Sequence, residues 1–469
     1  MRRVSAPFAV LLLTACTVGP NYRAPEPASL SVPDNYYGPQ PQPRPGQFAQ
    51  ADLSRWWEHF NDPLLTRLIA DASAGNLDVA VASARLVQAR ESLVQARAGL
   101  LPTVDGSASA GRGFGPANDR TSFSVGADAA WEIDLFGRIR RGIEAAGADA
   151  ESVYFNREAV RVAIAAELAS NYVDARLAQE RLALARDTLA IADDNLQITQ
   201  WRVQAGLVSS LDSESARAAR AQTAAVIPNL EAAFAGATYR IAVLTGRAPG
   251  ALTAELAATR PIPRGPADVA VGIPADALRQ RPDVRAAERS LAAATARIGV
   301  AEAQLYPALR LTGNIGTSAF SLGGLFDAVT GGIFGGLTQS LFDGGRLRSQ
   351  VRSQQAATDA ALATYRQSVL TSLEDVENAL QALKAARERQ AQFAIALDAA
   401  TNTAILARSQ YRSGLIDFQI LLDAERSLLS ARDGVSSSRG DEAQALVQLY
   451  RALGGGWDSA VPAEIGTQT

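Results

Sequence analysis

The sequence predicts a mixed fold, with long α-helices and the strands of a membrane β-barrel, built from a duplicated helix-strand-strand-long helix-helix repeat. Three observations predict this fold. They are an internal duplication, two very long helical patterns with coiled-coil spacing, and four short segments in which apolar and small or polar residues alternate. The chain has 469 residues, of which 47% are hydrophobic, and this is ample apolar material for a core.

The composition excludes several classes of protein. The 45 Lys and Arg residues stand against 48 Asp and Glu residues, and this balance argues against a nucleic-acid-binding protein because phosphate binding needs a concentrated basic surface. A single His and a single Cys exclude a His-rich metal site, a Cys-based zinc site and a disulfide framework. The Gly-rich stretch 331–336 lacks the Lys-Ser/Thr pair of a phosphate loop. We therefore expect no enzymatic activity, no metal and no non-covalent cofactor.

The N-terminus has the pattern of a bacterial lipoprotein signal. Arg2 and Arg3 precede a short apolar stretch, and residues 1–15 are predicted to be a signal peptide. Small residues before Cys16 are typical of a lipobox, so we expect Cys16 to carry a diacylglycerol and an N-acyl chain at the start of a lipid-anchored segment over 16–70. Thr17, rather than Asp, is typical of an outer-membrane address. An ordinary signal that ends near a Cys is the alternative.

The chain contains a long internal duplication. The segment Ala89–Pro102, ARESLVQARAGLLP, is matched by Ala294–Pro307, ATARIGVAEAQLYP, and later features also recur about 205 to 211 positions further on. The duplication predicts a first repeat over 71–246 and a second over 276–453. An equatorial linker over 247–275 separates the repeats, and a C-terminal equatorial tail over 454–469 follows them.

Each repeat contains one very long helical pattern. Residues 143–204 lack Pro and hold no Gly beyond Gly147, and residues 347–412 have neither. At 1.5 Å per residue, roughly 60 residues make a helix of about 90 Å. Leu182, Leu189 and Leu196 are spaced by seven, which is typical of a coiled coil. A purely structural coiled-coil protein would show the same pattern, and the strands argue against it.

Four segments have the alternation of β-strands, at about 103–113, 121–135, 308–318 and 332–342. Phe123, Val125, Trp131 and Ile133 point to one face, with small or polar residues between them. Together with the lipoprotein signal, this pattern favours a barrel with a lipid-facing exterior and a wet lumen. Four strands cannot close a barrel, so the chain must oligomerise. The loops between the strands, 113–121 and 318–332, are predicted to lie outside the cell.

Further motifs carry a resemblance to a known family. They are Gly19-Pro20-Asn21-Tyr22, Trp56-Trp57 before Phe60-Asn61-Asp62-Pro63-Leu64, Leu278-Arg279-Gln280-Arg281-Pro282-Asp283-Val284, and Tyr450-Arg451-Ala452-Leu453-Gly454-Gly455-Gly456-Trp457. From Cys16 to about Trp457 the chain resembles the TolC-type outer-membrane factor efflux lipoproteins, in the branch that serves resistance-nodulation-division multidrug pumps. The resemblance implies a homotrimer with a twelve-stranded outer-membrane barrel, a long periplasmic helical tunnel and an equatorial domain.

The same resemblance implies a function and a location. The expected role is a passive exit duct that conducts drugs or other small molecules from an inner-membrane pump and a periplasmic adaptor to the outside. The chain would be lipid-anchored in the outer membrane, with most of its residues in the periplasm. A duct for type I protein secretion remains an alternative, and a periplasmic structural or adaptor coiled-coil protein is a weaker one.

The resemblance also points to a periplasmic gate. In this family an Asp in a Leu-Leu-Asp segment points into the tunnel entrance, and Asp423 matches it. Arg426 could pair with a neighbouring carboxylate, Asp212 is the first-repeat counterpart, and Arg412 and Tyr411 are weaker candidates. Capping of the following helix is the alternative role for both Asp residues. Gln419 occupies a position that is often apolar in the family, which argues against a hydrophobic seal.

The turns between long and short helices form predicted tips. Gly206 and Gly414 are predicted to end the long helices in the left-handed conformation. The apolar residues beside these glycines are expected to meet the periplasmic adaptor, as part of a tip set made of Gly206, Leu207, Val208, Gly414, Leu415 and Ile416.

Overall fold

The computed structural model describes residues 17–30, 32–38, 53–115, 120–267, 269 and 274–458. The predicted signal peptide, Cys16 with its predicted lipidation, part of the first interstrand loop and most of the C-terminal tail lie outside the described residues. Among the helices of the described ranges, none is both long enough and apolar enough to cross a membrane.

The structure shows the duplicated order of elements that the sequence predicts. The first repeat consists of α1 (Pro63–Gly75), α2 (Leu77–Ala98), β1 (Thr103–Arg112), β2 (Thr121–Ile133), α3 (Arg138–Gln204) and α4 (Ser210–Leu244). The short helix α5 (Thr253–Leu256) lies between the repeats. The second repeat consists of α6 (Pro274–Gln280), α7 (Pro282–Ala303), β3 (Ala308–Ala319), β4 (Val329–Thr338), α8 (Arg346–Arg412) and α9 (Phe418–Ala452).

Three pairs of equivalent helices have equal lengths in the two repeats, whereas α1 has 13 residues and α6 has 7. Helices α3 and α8 have 67 residues each, α4 and α9 have 35, and α2 and α7 have 22. Each long helix begins directly after a glycine in the left-handed conformation, Gly137 with φ 82° and Gly345 with φ 89°. Residues of α3 and α8 therefore correspond at an offset of 208 (345 − 137), and those of α2 and α7 at an offset of 205 (282 − 77).

Several predicted bounds are wrong by a few residues. The fourth strand spans Val329–Thr338 rather than 332–342, because its antiparallel pairing with β3 runs from Thr317↔Val329 to Ala308↔Thr338. The residues after it turn into α8, where Asp343 accepts hydrogen bonds from the first backbone amides. The second strand ends at Ile133 rather than at 135.

The starts of the long helix and of the repeats also shift. Helix α3 begins at Arg138, earlier than the predicted residue 143, because Asp134 caps its first amides and Gly142 does not interrupt it. The predicted repeat starts, at 71 and 276, are wrong because they fall inside α1 and α6, respectively. No turn residue at either position marks a helix boundary in the sequence.

The four strands form one antiparallel sheet in the order β1-β2-β3-β4. The central pairing joins β2 of the first repeat to β3 of the second, from Phe123↔Ala319 to Ile133↔Leu309. Strands β1 and β4 are therefore the edges of the sheet in the single chain. Many apolar side chains of the sheet are exposed, including Val104, Ile333 and Leu337.

The largest core lies where α1, α3, α4 and α9 meet. Trp56 is fully buried, and its ring stacks on that of Tyr450 with 5.3 Å between the centroids. Trp457 is also buried, whereas Trp57 is only partly buried against the same core. Trp56 belongs to this core, whereas Trp457 lies in a separate apolar cluster with Leu86, Tyr154 and Val162.

A buried arginine ties this core together. Arg176 of α3 is 0% exposed and donates hydrogen bonds to the backbone carbonyls of Leu256 and Ala258, to Gln179 and to the Tyr172 hydroxyl. The Tyr172 hydroxyl in turn donates to Asp62 at 2.6 Å. Burial and the hydrogen bond with Asp62 raise the pKa of Tyr172 to about 12. The network connects the first repeat to the linker around α5.

Residues 17–38, here named the strap, lie along the helices. The Val18 amide donates to the Phe136 carbonyl at 3.2 Å, at the junction between β2 and α3. Arg141 of α3 is 3% exposed and donates to the carbonyls of Val18 and Gly19 and to Asn21. These bonds hold the start of the strap at the base of the sheet.

The strap continues onto the second repeat. A Cβ on Gly19 would lie 2.4 Å from the Cα of Gly299 in α7, so the close approach requires glycine there. The Tyr22 hydroxyl donates to Glu288 of α7 at 3.1 Å. The amides of Tyr37 and Gly38 donate to the Glu377 carboxylate of α8 at 2.6 and 2.7 Å. Within the described residues the strap thus bridges α3, α7 and α8.

Candidate functional site

The turn between α8 and α9 and its counterpart between α3 and α4 form the two tips. Gly206 and Gly414 both have φ 70°, as predicted for residues that end the long helices. The amide of Leu207 donates to the Arg202 carbonyl, and that of Leu415 to the Gln410 carbonyl, which completes the same helix-ending motif in each repeat. The two tips are therefore structurally equivalent.

The apolar residues of the tips differ in exposure. Leu207 is 70% exposed and Leu415 is 74% exposed. Val208 and Ile416 are half-buried, and Ile416 packs against the cluster described next. Leu211 in the first turn of α4 is 72% exposed and Ile420 in the first turn of α9 is 52% exposed, so exposed apolar surface continues from each tip onto the helix that follows it.

A small apolar cluster lies behind the second tip, and Tyr411 belongs to it. Tyr411 is 5% exposed, and its ring centroid lies 5.5 Å from that of Phe418. The guanidinium carbon of Arg202 lies 4.5 Å from the same ring centroid, a cation–π distance that joins α3 to α8. The members of this tip cluster are Ala216, Ala407, Tyr411, Phe418, Leu421, Leu422 and Ala424.

Asp423 lies within α9, on the solvent side of the helix. Its side chain is 62% exposed, with a carboxylate oxygen 3.6 Å from Nη1 of Arg426 and 3.3 Å from Nε2 of Gln419. The N-cap of α9 is Asp417, so the capping role considered for Asp423 is wrong. An exposed carboxylate one turn from an exposed arginine gains little from the pairing and keeps its charge available to solvent.

Asp212 has a different setting from Asp423. It is half-buried in the first turn of α4, and the N-cap is Ser209, so Asp212 is not the capping residue either. A carboxylate in the first turn is favoured by the helix dipole. Arg412 is exposed in the last turn of α8, and the arginine that contacts Tyr411 is Arg202 rather than Arg412.

Sequence reasoning missed an ion pair near the tip that is more buried than the contact between Arg426 and Asp423. Arg408 of α8 forms a two-pronged ion pair with Glu425 of α9, with 2.6 Å between Nη2 and Oε2. Glu425 is 14% exposed, and its hydrogen bond raises the pKa of Arg408 above its ordinary value. The two residues pair across the antiparallel helices α8 and α9. Their contact depends on the register of these helices, which is set by the position of the turn between them.

Two cavities border this region. One of about 700 Å³ lies between the ends of α3 and α8, and Arg202, Arg408 and Arg412 line it together with Trp201 and Leu207. The other, of about 250 Å³, is lined by Phe418, Leu422, Glu425 and Arg426 with residues of α3 and α4. In the part of the chain that the structure describes, no group of three or more His, Cys, Asp or Glu residues could hold a metal ion.

Comparison with known proteins gives the family. The model of the family described as "Outer membrane efflux protein" matches residues 68–247 and 273–455. Nodulation protein T of Rhizobium leguminosarum bv. trifolii is 33% identical over 98% of this chain and 99% of that protein. The pyoverdine export outer membrane protein OpmQ of Pseudomonas putida is 32% identical over 87% of this chain and 89% of that protein.

A solved structure agrees with the sequence relatives. The structure of the outer-membrane channel OprN has 36% identity and a TM-score of 0.86, over 94% of this chain and 100% of that chain. The two matched segments of the family model coincide with the two repeats, and the likeness to OprN covers the sheet and the long helices alike. The chain belongs to the outer membrane efflux protein family, whose members are passive outer-membrane channels and not enzymes.

Proposed function

We propose that this chain forms the outer-membrane exit duct of a tripartite efflux system. An energised resistance-nodulation-division pump in the inner membrane and a periplasmic adaptor would deliver drugs or other small molecules to it. The observation that carries the proposal is the four-stranded sheet that continues directly into two helices of 67 residues. At 1.5 Å per residue each helix extends about 100 Å, which suits a periplasmic tunnel.

A homotrimer closes the barrel. Strands β1 and β4 are edges in the single chain, and an open edge in lipid would leave backbone amides and carbonyls without partners. Family members work as trimeric channels, and three copies of a four-stranded sheet give twelve strands. The exposed apolar side chains of the sheet, such as Val104 and Ile333, then face lipid or neighbouring strands.

The gate is proposed at the α8–α9 tip. Three copies of the exposed Asp423 carboxylate around a threefold axis form an anionic ring, supported by Gln419 and balanced by Arg426. Asp212 adds a carboxylate from α4, and Arg412 adds a cation to the rim. Tyr411 acts from inside the helix pair, where it holds α8 against α9 and α3, rather than as a lining residue.

The tips are proposed to meet the adaptor. Leu207 and Leu415 offer the exposed apolar contacts, Val208 and Ile416 support them, and Gly206 and Gly414 set the turn. Opening is proposed as an iris-like sideways shift of the helices about these turns. Such a shift requires a second state that the adaptor binds better than the closed one.

Single-channel conductance of the purified protein in a planar bilayer tests both the duct and the gate. Each Asp423 carboxylate attracts a monovalent cation passing at about 4 Å by about 1 kcal/mol in a water-like medium. The substitution Asp423→Ala is therefore expected to lower the cation-over-anion permeability ratio by at least about fivefold, because the carboxylate attracts cations and also repels anions, and to make openings larger or more frequent. The substitution Asp423→Asn keeps the shape of the side chain and removes its charge. It therefore shows whether a change in conductance comes from the lost charge or from the smaller side chain.

The conductance experiment has three possible outcomes, and each leads to a different conclusion about the duct and the gate. Rare wild-type openings that grow in Asp423→Ala support the duct and the gate together. A wild-type channel that is open from the start, with the same conductance and ion preference in both Asp423 variants, keeps the duct and removes the gate. No channel from a correctly assembled oligomer counts against the duct itself.

Lipidation at Cys16 is the proposed membrane anchor beside the barrel. Thr17, the first described residue, packs at the start of α3, where a Cβ on Gly137 would lie 2.6 Å from Thr17 Cγ2. Intact-mass analysis of the mature protein is expected to show the acyl chains in the wild type and none in Cys16→Ala. A mature wild-type chain of unmodified mass would refute the lipid anchor.

A further inference from the structure

The register of the sheet assigns each strand residue to one of two faces. Directly opposite residues of antiparallel strands lie on the same face, and successive residues of one strand alternate between faces. The face that holds the pair Trp131↔Leu311 also holds large apolar side chains of the other strands, such as Val104 and Ile333. The opposite face of β1, β2 and β3 carries only Gly, Ala, Ser, Thr, Asn and charged residues. In the proposed barrel the first face meets lipid and the second meets the lumen.

Phe334 of β4 is the exception to this division. It lies directly opposite Thr312, whose own partner in β2 is Ala130, so its side chain is on the polar face. It is the one large apolar residue on that face of the four strands, and it is 62% exposed. A phenyl ring gains free energy where apolar surface covers it, and a water-filled lumen supplies no such cover. An apolar molecule inside the lumen would supply it.

The neighbours of Phe334 on its own strand leave part of its ring open. The residues two positions away on the same face are Gly332 and Gly336, which have no side chains to cover the ring. A Cβ on Gly332 would lie 2.9 Å from Cζ of Phe334, so the ring leans along the strand over this glycine. A Cβ on Gly336 would meet nothing within 4 Å, so the wall on the other side of the ring is bare. The ring therefore rests on the wall and offers apolar surface to the lumen.

Closing the barrel would not cover this ring. In the proposed trimer β4 pairs with β1 of the next protomer, because both are edges of the sheet in the single chain. The lumen face of β1 carries only small or short polar side chains, which are too small to bury a phenyl ring at any register: Thr103, Asp105, Ser107, Ser109 and Gly111. Three rings, one from each protomer, then stay accessible from the lumen.

We propose that Phe334 is a contact for flat aromatic cargo inside the barrel. The proposal rests on the proposed duct and names a side chain that discriminates among the molecules passing through it. A flat molecule can lie along the bare wall at Gly336 and stack on the ring, whereas a bulky aliphatic molecule is held off by its own thickness. Stacking of two aromatic groups adds to the burial of apolar area and lengthens a contact roughly two- to tenfold.

Single-channel recording of the full-length protein in a planar bilayer tests the contact, with ethidium as the probe. Ethidium is a flat aromatic cation, and a cation suits a lumen face that carries Asp105 and Asp128. During open events it is expected to cause brief partial interruptions of the current. Phe334→Leu keeps an apolar side chain but removes the flat ring, so it is expected to shorten the mean interruption roughly two- to tenfold. Phe334→Tyr keeps the ring and is expected to keep the long interruptions.

Two controls isolate the ring from the rest of the sheet. Ile333→Ala changes the adjacent residue of the same strand, which lies on the lipid face and is 87% exposed, and it is expected to leave the ethidium interruptions unchanged. Tetrabutylammonium, an apolar cation without a flat ring, is expected to give interruptions of equal length in the wild type and in Phe334→Leu. Light scattering and the conductance without a probe verify that each variant assembles as the wild type does.

The outcomes separate the contact from the duct. Ethidium interruptions that are shorter in Phe334→Leu but not in Phe334→Tyr or Ile333→Ala, with tetrabutylammonium unaffected, support the contact. An open wild-type channel that ethidium does not interrupt, or interruptions equally long in Phe334→Leu, overturn the contact and leave the duct in place. Equal shortening in Ile333→Ala also overturns it, because the effect would then come from the sheet as a whole. A correctly assembled oligomer without any channel overturns the duct and the contact together.

Discussion

Replacing Arg176 with alanine is expected to destabilise the protein by roughly 3–5 kcal/mol, because the substitution removes a fully buried charged donor from several buried acceptors, each of which costs about 1–3 kcal/mol when left unsatisfied. The guanidinium is 0% exposed and satisfies two linker carbonyls, Gln179 and the Tyr172 hydroxyl. Alanine leaves these acceptors buried without donors and leaves a cavity between α3 and the linker. The shift is measured as a lower midpoint of thermal unfolding followed by helical circular dichroism.

Arg186 provides the matched control on the same helix. It pairs with Glu231 at 2.8 Å, but the two side chains are 59% and 51% exposed. Exposed pairs of this kind contribute about 0–1 kcal/mol, so Arg186→Ala is expected to leave the midpoint nearly unchanged. Equal shifts in Arg176→Ala and Arg186→Ala would show that the buried network does not stabilise the equatorial core.

Replacing Arg408 with alanine is expected to loosen the start of α9 and to favour the open tip. The substitution leaves the Glu425 carboxylate, 14% exposed, without its two-pronged partner. A hydrogen bond to a charged group contributes about 2 kcal/mol, which corresponds to roughly 30-fold faster hydrogen exchange of the amides that it protects. Hydrogen exchange followed by mass spectrometry over residues 418–428 measures this effect.

Two further variants distinguish the effect of an unpaired charge on hydrogen exchange from a general destabilisation of the tip. Arg408→Ala combined with Glu425→Gln removes the unpaired charge and is expected to recover part of the protection. Arg426→Ala breaks only the exposed 3.6 Å contact with Asp423 and is expected to leave exchange in this segment unchanged. If Arg408→Ala exchanged no faster than the wild type, the ion pair would have no part in holding the tip.

The overall fold was predictable because its signals are periodic and occur twice. Seven-residue spacing and the absence of proline gave the long helices, and the two tip glycines marked where they end. The fourth strand was misplaced because Gly331, Gly332 and their neighbours supply no clear alternation, so that pairing with β3 alone sets the bounds. Local pattern cannot reveal a register that depends on a partner strand.

The candidate gate was predictable only in part. The exposure of Asp423 agrees with its proposed role, but the burial of Tyr411 required knowing that Ala404, Ala407 and Tyr411 share one face toward α9 and α3. Arg408 and Glu425 lie 17 positions apart on opposite sides of a turn, and their contact depends on the register of two helices. Arg176 gave no signal, because a lone arginine in a helical pattern normally indicates a solvated face.

The strap makes the two kinds of short helix in the proposed trimer unequal. Each chain contributes one α2 and one α7, and the strap of that chain lies along α7 through Gly19 and Tyr22. In the proposed trimer, three α7 helices that carry a strap therefore alternate with three α2 helices, to which none of the strap hydrogen bonds described above is made. A partner that encircles the tunnel at this height meets two kinds of surface, so identical copies of it would have to bind in two modes or occupy every second position.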